Sequence, residues 1–585
     1  MAHPDPQTLE HIRAARTYRG TPPDHYLVPY HSLGDLLDRR AAEMAHKVFL
    51  IHYDADGHRE EFTYAEFNRR VNQVAHFLTN RLGVKRGDRI ATIGYNHCDT
   101  VLIYFAAWKV GAAMAPQNVT EDDERINYIL RNSEAVVLFA RPEYLARADQ
   151  IVRGKVHGGQ PVTNIQEIVQ VGGEHGGPYL HLGSEAAQMP DSFVPPHPVS
   201  REDECLLVYT SGTTGAPKGV VLTHYNLMVD AHGIAEWHTI TPNQRLMCVL
   251  PIHHVNGIVV TLITPLLVGA SVVLNRGYSS SHFWERIARE RVQIASVVPT
   301  LLQFSLEYAD HAAEQGRSIW GEGITRDDLA GFRHVVCGAG TLAISLASAF
   351  EERFGFPIVH GYGLSETTCY SCGLPVDLSW EEHRRWMRDY GYPSIGVPIT
   401  PNEMAIFDPM GSGQQLGPGE RGEICIRGHN VMKYYYLRPD SNAETFRFGW
   451  FRSGDEGFYE VDDQGRPFFF ITGRIKELIN RGGVKFSPFD IEEVLLELPE
   501  VKVGLAVAFE NDYYGEEVGA YVVLNQGGHL TEQQVIEHCR RHMPFEKSPK
   551  VVLFGTEVPV TTTGKYQRLK LRSLFEPWRH VQFRP

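Results

Sequence analysis

Near-continuous apolar runs alternate with amphipathic stretches along most of the chain, and no other feature constrains the fold as strongly. KVFLIHY, RIATIGY, AAMAPQ, AVVLFA, SVVL, IASVVP and HVVCGAG are such runs, the pattern of strands covered on both faces in a parallel sheet. Between them, FNRRVNQVAHFLTNRL and LASAFEERF carry apolar residues at helical spacing. Strands and helices taking turns predict an α/β protein of mainly parallel sheets flanked by helices. From 404 to 475 the pattern changes to closely spaced strands, EMAIFD, GEICIRG, EGFYEV and RPFFFITG, with Gly, Pro and Asp between them, which predicts a β-rich module. After Gly473 an acidic helix (DIEEVLLEL), strands GLAVAFE and GAYVVLN, and a helix EQQVIEHCRRH predict a small α+β domain of about 110 residues. The boundary is placed near Lys476, giving a large N-terminal domain over 1–475 and a small C-terminal domain over 476–585.

At 585 residues the chain exceeds one ordinary core. Acidic residues outnumber basic ones, 70 to 56, for a formal charge of −14 without a Lys/Arg block, which disfavours nucleic acid as a partner. Eight scattered cysteines do not form a disulfide framework, and a reducing, cytoplasmic setting is expected. Cys369 and Cys372 alone have CxxC spacing and read as two thiols near a turn, because a tetrahedral zinc site needs two more ligands. The start, MAHPDPQTLEHIRAARTYRG, is polar and helical in character and lacks the apolar core of a secretory signal. GIVVTLITPLLVGASVVL (257–274) approaches membrane-span length but is cut by Pro265, Gly269 and Ser271; it reads as a buried helix followed by a short strand, so no integral membrane association is expected. Residues 375–393, rich in Trp, Arg and Glu, read as a surface insertion.

The most informative local signal is Tyr209-Thr210-Ser211-Gly212-Thr213-Thr214-Gly215-Ala216-Pro217-Lys218-Gly219, directly after the apolar CLLV. Glycines let backbone amides converge on an anion, hydroxyls supply neutral donors, and Lys218 adds positive charge, so the segment reads as a phosphate loop. It is not a Walker loop, whose pattern demands GK[ST].

Here the sequence resembles the adenylate-forming superfamily of acyl-CoA synthetases, nonribosomal-peptide adenylation domains and beetle luciferases, whose signature loop reads [ST]SG[ST][ST]GxPKG. The resemblance continues in order from about Thr63 to Arg572. It implies that Thr210 to Lys218 hold the phosphates of ATP. In HVVCGAGTLAISLASAFEERFG, formally GxGxxA, a strand should lead through Gly338, Ala339 and Gly340 into a helix, and the next strand, PIVH, lacks the acidic end of a dinucleotide fold. In the family this turn lies on one face of adenine. The other face is implied to be Tyr362, within His360-Gly361-Tyr362-Gly363-Leu364-Ser365-Glu366-Thr367-Thr368. His360 would meet the adenine edge and Glu366 would hold Mg2+, a hard cation suited to carboxylate oxygens. Ser365 stands where threonine is commoner, with the hydroxyl kept.

Gly449-Trp450-Phe451-Arg452-Ser453-Gly454-Asp455 resembles GWxxTGD, whose aspartate takes both ribose hydroxyls, a role suited to a carboxylate. Upstream, Tyr434 replaces a common glycine in VMKYYY, and a locally altered turn is expected. Gly473 to Gly483 resembles GRxKExIxxGG. Arg474 is implied to reach the nucleotide, Lys476 to be the pivot of a rotating domain, and Gly482 and Gly483 to admit the pantetheine arm of coenzyme A; an ordinary helix C-cap turn would also explain that glycine pair. Pro559-Val560-Thr561-Thr562-Thr563-Gly564-Lys565 matches PxTxxGK and makes Lys565 the implied catalytic lysine. The acid pocket is implied to include His254, Asn256, Thr300, Gly340, Thr341 and Leu364. Adjacent histidines at 253 and 254 suit a short or polar acid and equally suit satisfied core positions.

The implied activity is ATP-dependent conversion of a carboxylic acid to its acyl-AMP, then transfer to coenzyme A. Loading of a carrier protein, a luciferase-like oxygenation and a non-catalytic nucleotide sensor stand as alternatives. Oligomeric state and the identity of the acid stay open.

Overall fold

The computed structural model describes residues 4–210, 217–409, 411–560 and 566–584. Two large sheets dominate. The first has nine strands in the spatial order Val397–Pro398, Cys372–Gly373, Ile358–Tyr362, His334–Cys337, Ile294–Val297, Arg245–Cys248, Ser271–Asn275, Val48–Tyr53 and Arg59–Thr63. Its six central strands pair in parallel and its edges are antiparallel. The second has eight, from Tyr434–Tyr435 through Lys218–Thr223, Glu204–Thr210, Ala113–Gln117, Arg89–Ile93, Val137–Ala140 and Glu167–Gln170 to Leu180–His181. The apolar alternation is therefore that of parallel-rich sheets, as the sequence predicts.

Helix Cys98–Val110 shows why such sheets need apolar cover. It is apolar on nearly every side, and every residue except Asp99 is buried, as expected of a core helix. Its one internal lysine, Lys109, donates to Asp38 at 2.5 Å and to Asn68 and Asn72 at 2.7 Å each; burial lowers its pKa and Asp38 opposes that, so the three partners offset its removal from water. Gly111 ends it in the left-handed region at φ +84°. Helix Tyr64–His76 starts on a capping box in which Thr63 and Glu66 each satisfy the other's amide.

The 257–274 stretch is a π-helical segment Asn256–Ile263, a short helix Thr264–Val268 and strand Ser271–Asn275, buried within the apolar core. Among the described residues no helix is long and apolar enough to cross a membrane. The 404–475 region forms a four-stranded antiparallel sheet, Asn402–Phe407, Gly422–Gly428, Phe451–Val461 and Pro467–Arg474. Beyond it, Ile479–Arg481, Val484–Phe486, Val501–Asn511, Gly515–Leu524 and Val551–Gly555 make a smaller sheet with an apolar cluster of its own, including Ile479, Ile491, Leu495, Val518, Val522 and Val535.

Two expectations need correction. Residues 375–393 are not merely a surface insertion: helix Trp380–Arg388 buries Trp386, whose ring stacks on Phe468 at 3.8 Å and 1°, and His383 pairs with the buried Glu351 at 2.6 Å. Tyr434 does not loosen a turn. With Tyr435 it forms a two-residue strand antiparallel to Lys218–Thr223, in register with Val221 and Val220, and β-branched and aromatic neighbours favour that pairing.

Candidate active site

Strands Glu204–Thr210 and Lys218–Thr223, which flank the Gly-, Ser- and Thr-rich segment in the sequence, pair antiparallel with Thr210 opposite Lys218. Ser211, Gly212, Thr213, Thr214 and Gly215 lie outside the described residues, as does Lys565. Lys218 Nζ sits 4.9 Å from the centre of the Tyr435 ring, a cation–π distance. Burial lowers its pKa, the charge of Lys476 lowers it further, and Glu366 opposes both. Three residues expected in the site therefore share one electrostatic neighbourhood.

Glu366 lies on a single 3-10 turn, Ser365–Thr367, and is buried. Tyr435 donates its hydroxyl to Glu366 Oε1 at 2.7 Å, and the Met432 amide holds the Glu366 carbonyl at 2.7 Å. The backbone around this turn is compressed. A Cβ on Gly363 would stand 1.7 Å from the Cys369 carbonyl oxygen, and one on Gly361 2.5 Å from the Tyr370 ring, so only glycine fits either place. Thr368, a β-branched residue, is held at φ +66°, where strain is expected; its hydroxyl bonds the Asn430 carbonyl at 2.6 Å. Beneath it, Asp230 accepts from Asn430 at 2.7 Å and from the Tyr370 amide at 3.3 Å, and burial raises its pKa well above the usual carboxyl range.

Asp455 is buried within strand Phe451–Val461, in register with Arg474 at the end of strand Pro467–Arg474. Tyr362 donates to its Oδ2 at 2.7 Å. Arg474 Nε lies 3.1 Å from Oδ1, an ion-pair distance without hydrogen-bond alignment, so that buried oxygen keeps an unfilled acceptor site. The pairing with Asp455 raises the Arg474 pKa. His360 is buried and burial takes its pKa down to about 4. Because a carbonyl can only accept, its contact with the Ser394 oxygen at 2.9 Å makes Nδ1 the protonated nitrogen and leaves Nε2 as an acceptor. Gly338 to Gly340 follow strand His334–Cys337 and precede helix Ile344–Phe354. A Cβ on Gly338 would meet the Tyr370 hydroxyl at 2.7 Å, and Ala339 has φ +65°.

The 251–257 loop is tied down by Asn96, whose amide donates to the Leu250 and Asn275 carbonyls at 2.9 and 3.0 Å while its oxygen takes the Ile252 amide at 2.8 Å. The His253 and His254 rings are 4.4 Å apart. Burial, then His254, takes the His253 pKa well down, and His253 Nε2 is buried without a hydrogen-bond partner, as is the Tyr370 hydroxyl. Asn256 accepts from Ser296 at 2.7 Å. Thr300 lies in helix Pro299–Glu314, Gly340 faces Pro299, Leu364 packs on the core, and Thr341 is exposed.

Gly482 and Gly483 are not a helix C-cap: at φ +60° and +91° they turn the hairpin between Ile479–Arg481 and Val484–Phe486, a two-residue turn that asks for positive φ twice. No side chain stands over Gly483. Sequence reading missed the support roles of Tyr435 and Asp230. The tyrosine run was visible, but its partner on a distant segment was not.

Antiparallel strands flanking a Gly-, Ser- and Thr-rich segment, a buried aspartate shared by a tyrosine and an arginine, and a smaller sheet beyond them agree with a nucleotide-binding enzyme of two parts. A model of the AMP-binding enzyme family matches residues 37–436, and that of the AMP-binding enzyme C-terminal domain matches 490–565. Oxalate–CoA ligase of Arabidopsis thaliana is 30% identical over 86% of this chain and 92% of its own length, and sulfoacetate–CoA ligase of Cupriavidus necator is 30% identical over 93% and 97%. The crystal structure of an anthranilate CoA ligase in complex with anthranoyl-AMP superposes with a TM-score of 0.79 at 26% identity, covering 94% of this chain and 98% of that one. The chain belongs to the AMP-binding enzyme family.

Proposed function

We propose that the chain is an acid–CoA ligase whose Asp455 and Lys218 ends of one cleft hold the two halves of ATP. It converts a carboxylic acid to acyl-AMP with release of pyrophosphate, then forms the thioester with coenzyme A, using Mg2+. The carrying observation is the convergence of Asp455, Tyr362 and Arg474 with Glu366, Lys218 and Lys476 where the strands end.

The unfilled Asp455 Oδ1 accepts a ribose hydroxyl, a charge-assisted bond. Tyr362 and the Gly338–Ala339 turn bracket adenine, and His360 Nε2 accepts from its amino edge. Thr210 to Lys218 cradle the phosphates with backbone amides and hydroxyls. Magnesium, when bound, neutralises phosphate charge; Glu366 is the carboxylate to hold it, one oxygen steadied by Tyr435. The acid carboxylate must approach an α-phosphate of like charge, so cations have to offset the repulsion. Lys565 bridges the acyl oxygen and the α-phosphate in that step. The 476–585 domain then pivots at Lys476 to present Gly482 and Gly483 to the thiol. Unpaired polar atoms on His253 and Tyr370 favour a short acid carrying a polar group over an alkyl chain, since burying them against methylenes leaves both unsatisfied.

ATP–pyrophosphate exchange across short dicarboxylic, sulfonated, hydroxycinnamic and fatty acids tests this. Exchange with a polar acid is expected, together with its loss in Asp455→Ala. Exchange with none, or a preference for fatty acids, rejects the respective part.

A further inference from the structure

A second group of chemistry-bearing side chains lies away from the nucleotide cleft. His52 is on strand Val48–Tyr53, and His97 and Cys98 open helix Cys98–Val110. One nitrogen from each imidazole and the Cys98 sulfur lie within 4.8 Å of one another. The imidazole rings are 4.5 Å apart. His52 is 3% exposed and Cys98 2%, and His52 Nε2 is buried with no hydrogen-bond partner. A buried nitrogen left unpaired demands an explanation. Glu60, paired in register with His52 across the strands, brings Oε2 to 3.5 Å from Cys98 Sγ, and His97 Nδ1 is also 3.5 Å from that sulfur.

We propose that His52, His97, Cys98 and Glu60 bind a borderline-soft divalent cation, zinc by preference, at the start of helix Cys98–Val110. Two imidazoles, a thiolate and a carboxylate are a zinc-like donor set and a poor one for magnesium, so the ion is distinct from that held at Glu366. Bonds of roughly 2.0–2.3 Å in a tetrahedron hold donors about 3.3–3.8 Å apart. Both contacts to Cys98 Sγ already have that length. On binding, the thiol S–H breaks, its proton passes to buffer and a metal–sulfur bond forms. Thiolate and carboxylate then cancel the ion's two charges, which removes the cost of burying a net charge. His97 Nδ1 also accepts the Asp99 amide at 3.1 Å as the helix N-cap, with Asp99 Oδ2 3.3 Å away, so binding at that nitrogen exchanges the cap bond for the metal. The ion would clamp the 48–63 hairpin of one sheet to a helix of the other, next to Asn96 and the loop it secures.

A rival cluster is Glu497, His538 and His542, the histidines four apart on helix Glu532–His542. His538 Nε2 there already bonds the Val494 carbonyl at 3.0 Å, and His542 and Glu497 are exposed, so this cluster serves as the control. The full chain is loaded with zinc, dialysed and assayed for metal; loaded with cobalt, it is read for a sulfur-to-cobalt charge-transfer band. We expect one equivalent of zinc, the cobalt band, and a more than roughly tenfold loss of zinc affinity in Cys98→Ser and His52→Ala. The double variant His538→Ala/His542→Ala should retain both metal and band. No cobalt band on the wild-type chain overturns the proposal even where the variants fail to fold. Zinc that survives Cys98→Ser and leaves with the His538/His542 variant overturns it too. Slower alkylation of Cys98 by zinc, mapped by mass spectrometry on the wild-type chain, is the third expected result, and its absence counts against the site.

Discussion

The floor of the proposed nucleotide cleft and the seam with the residues beyond 476 are made of different materials. The floor is backbone against backbone: Gly363 under Cys369, Gly361 and Gly338 against Tyr370, and Gly396 with a would-be Cβ 1.9 Å from the Gly373 carbonyl carbon. The seam is mostly side chain on side chain. Lys502 meets Glu307 at 2.7 Å with both about 40% exposed, Arg421 stands 3.7 Å from Asp490, and Tyr392 bonds Asp490. Glu493 faces the amide of Ile344, the first residue of helix Ile344–Phe354, and Phe489 tucks beside Phe468 and Phe470. Crossings without room for a methyl group cannot slide, whereas solvated pairs exchange partners with water at little cost. One half of the cleft is thus held in a single register while the seam carries the more exchangeable contacts, as the proposed change of arrangement between two half-reactions would require.

The contrast can be broken most directly at Gly363→Ala, where steric overlap with the backbone should cost more than about 4 kcal/mol and leave little folded protein; a soluble variant with an unchanged melting curve would show that the floor yields. Lys565→Ala should lower adenylation roughly a thousandfold, the scale of losing a group that stabilises developing charge, while thioester formation from supplied acyl-AMP stays near normal. Equal loss of both half-reactions would mean that the tail does not change place between them. Glu493 sharpens the seam. Burial, then the neighbouring Glu492, raises its pKa from 4.5 to about 7. A raised carboxyl stabilises the docked state fully below the ordinary carboxyl range and loses that contribution as pH rises through about 7. Partial exposure reduces it to about 1–2 kcal/mol. Glu493→Gln, which stays neutral, should flatten the fall in melting temperature between about pH 4.5 and 7, where the carboxyl is ionised when free and protonated when docked; an unchanged slope would remove Glu493 from the seam. The smallest effect belongs to Lys502→Ala, at most about 0.5 kcal/mol by denaturant unfolding. A larger loss would mean that the seam is less exchangeable than its exposure indicates.

Much of this was legible from local pattern. Strand and helix periods are local, so the α/β alternation and the antiparallel 404–475 module could be read before any contact was known. The contiguous motifs around Asp455, Tyr362 and Glu366 could be picked out in the same way, each through its immediate neighbours, and the fold brings these residues close to one another. What escaped reading depends on long-range pairing. Strand Val48–Tyr53 joins Ser271–Asn275 across more than two hundred residues, and no local period encodes that. The brace of Asp230 on Asn430, the stacking of Trp386 on Phe468 and the meeting of His52 with Cys98 arise the same way. Each residue is unremarkable in its own segment and acquires its role from a partner that only the fold supplies. Tyr434 misled for a related reason, because comparison with a common glycine speaks to the turn and says nothing of a strand awaiting a partner.

That two-residue strand ties three places together: it lies along the strand that begins at Lys218, its second hydroxyl rests on Glu366, and its first meets Glu204 at 2.6 Å. On the proposed assignment, an engineer who randomised the wall around His254 to change which acid is accepted would leave this strut untouched. One who altered Tyr435 would, on the same assignment, disturb the grip on ATP for every acid alike, so variants at that position should be screened for turnover and never for selectivity.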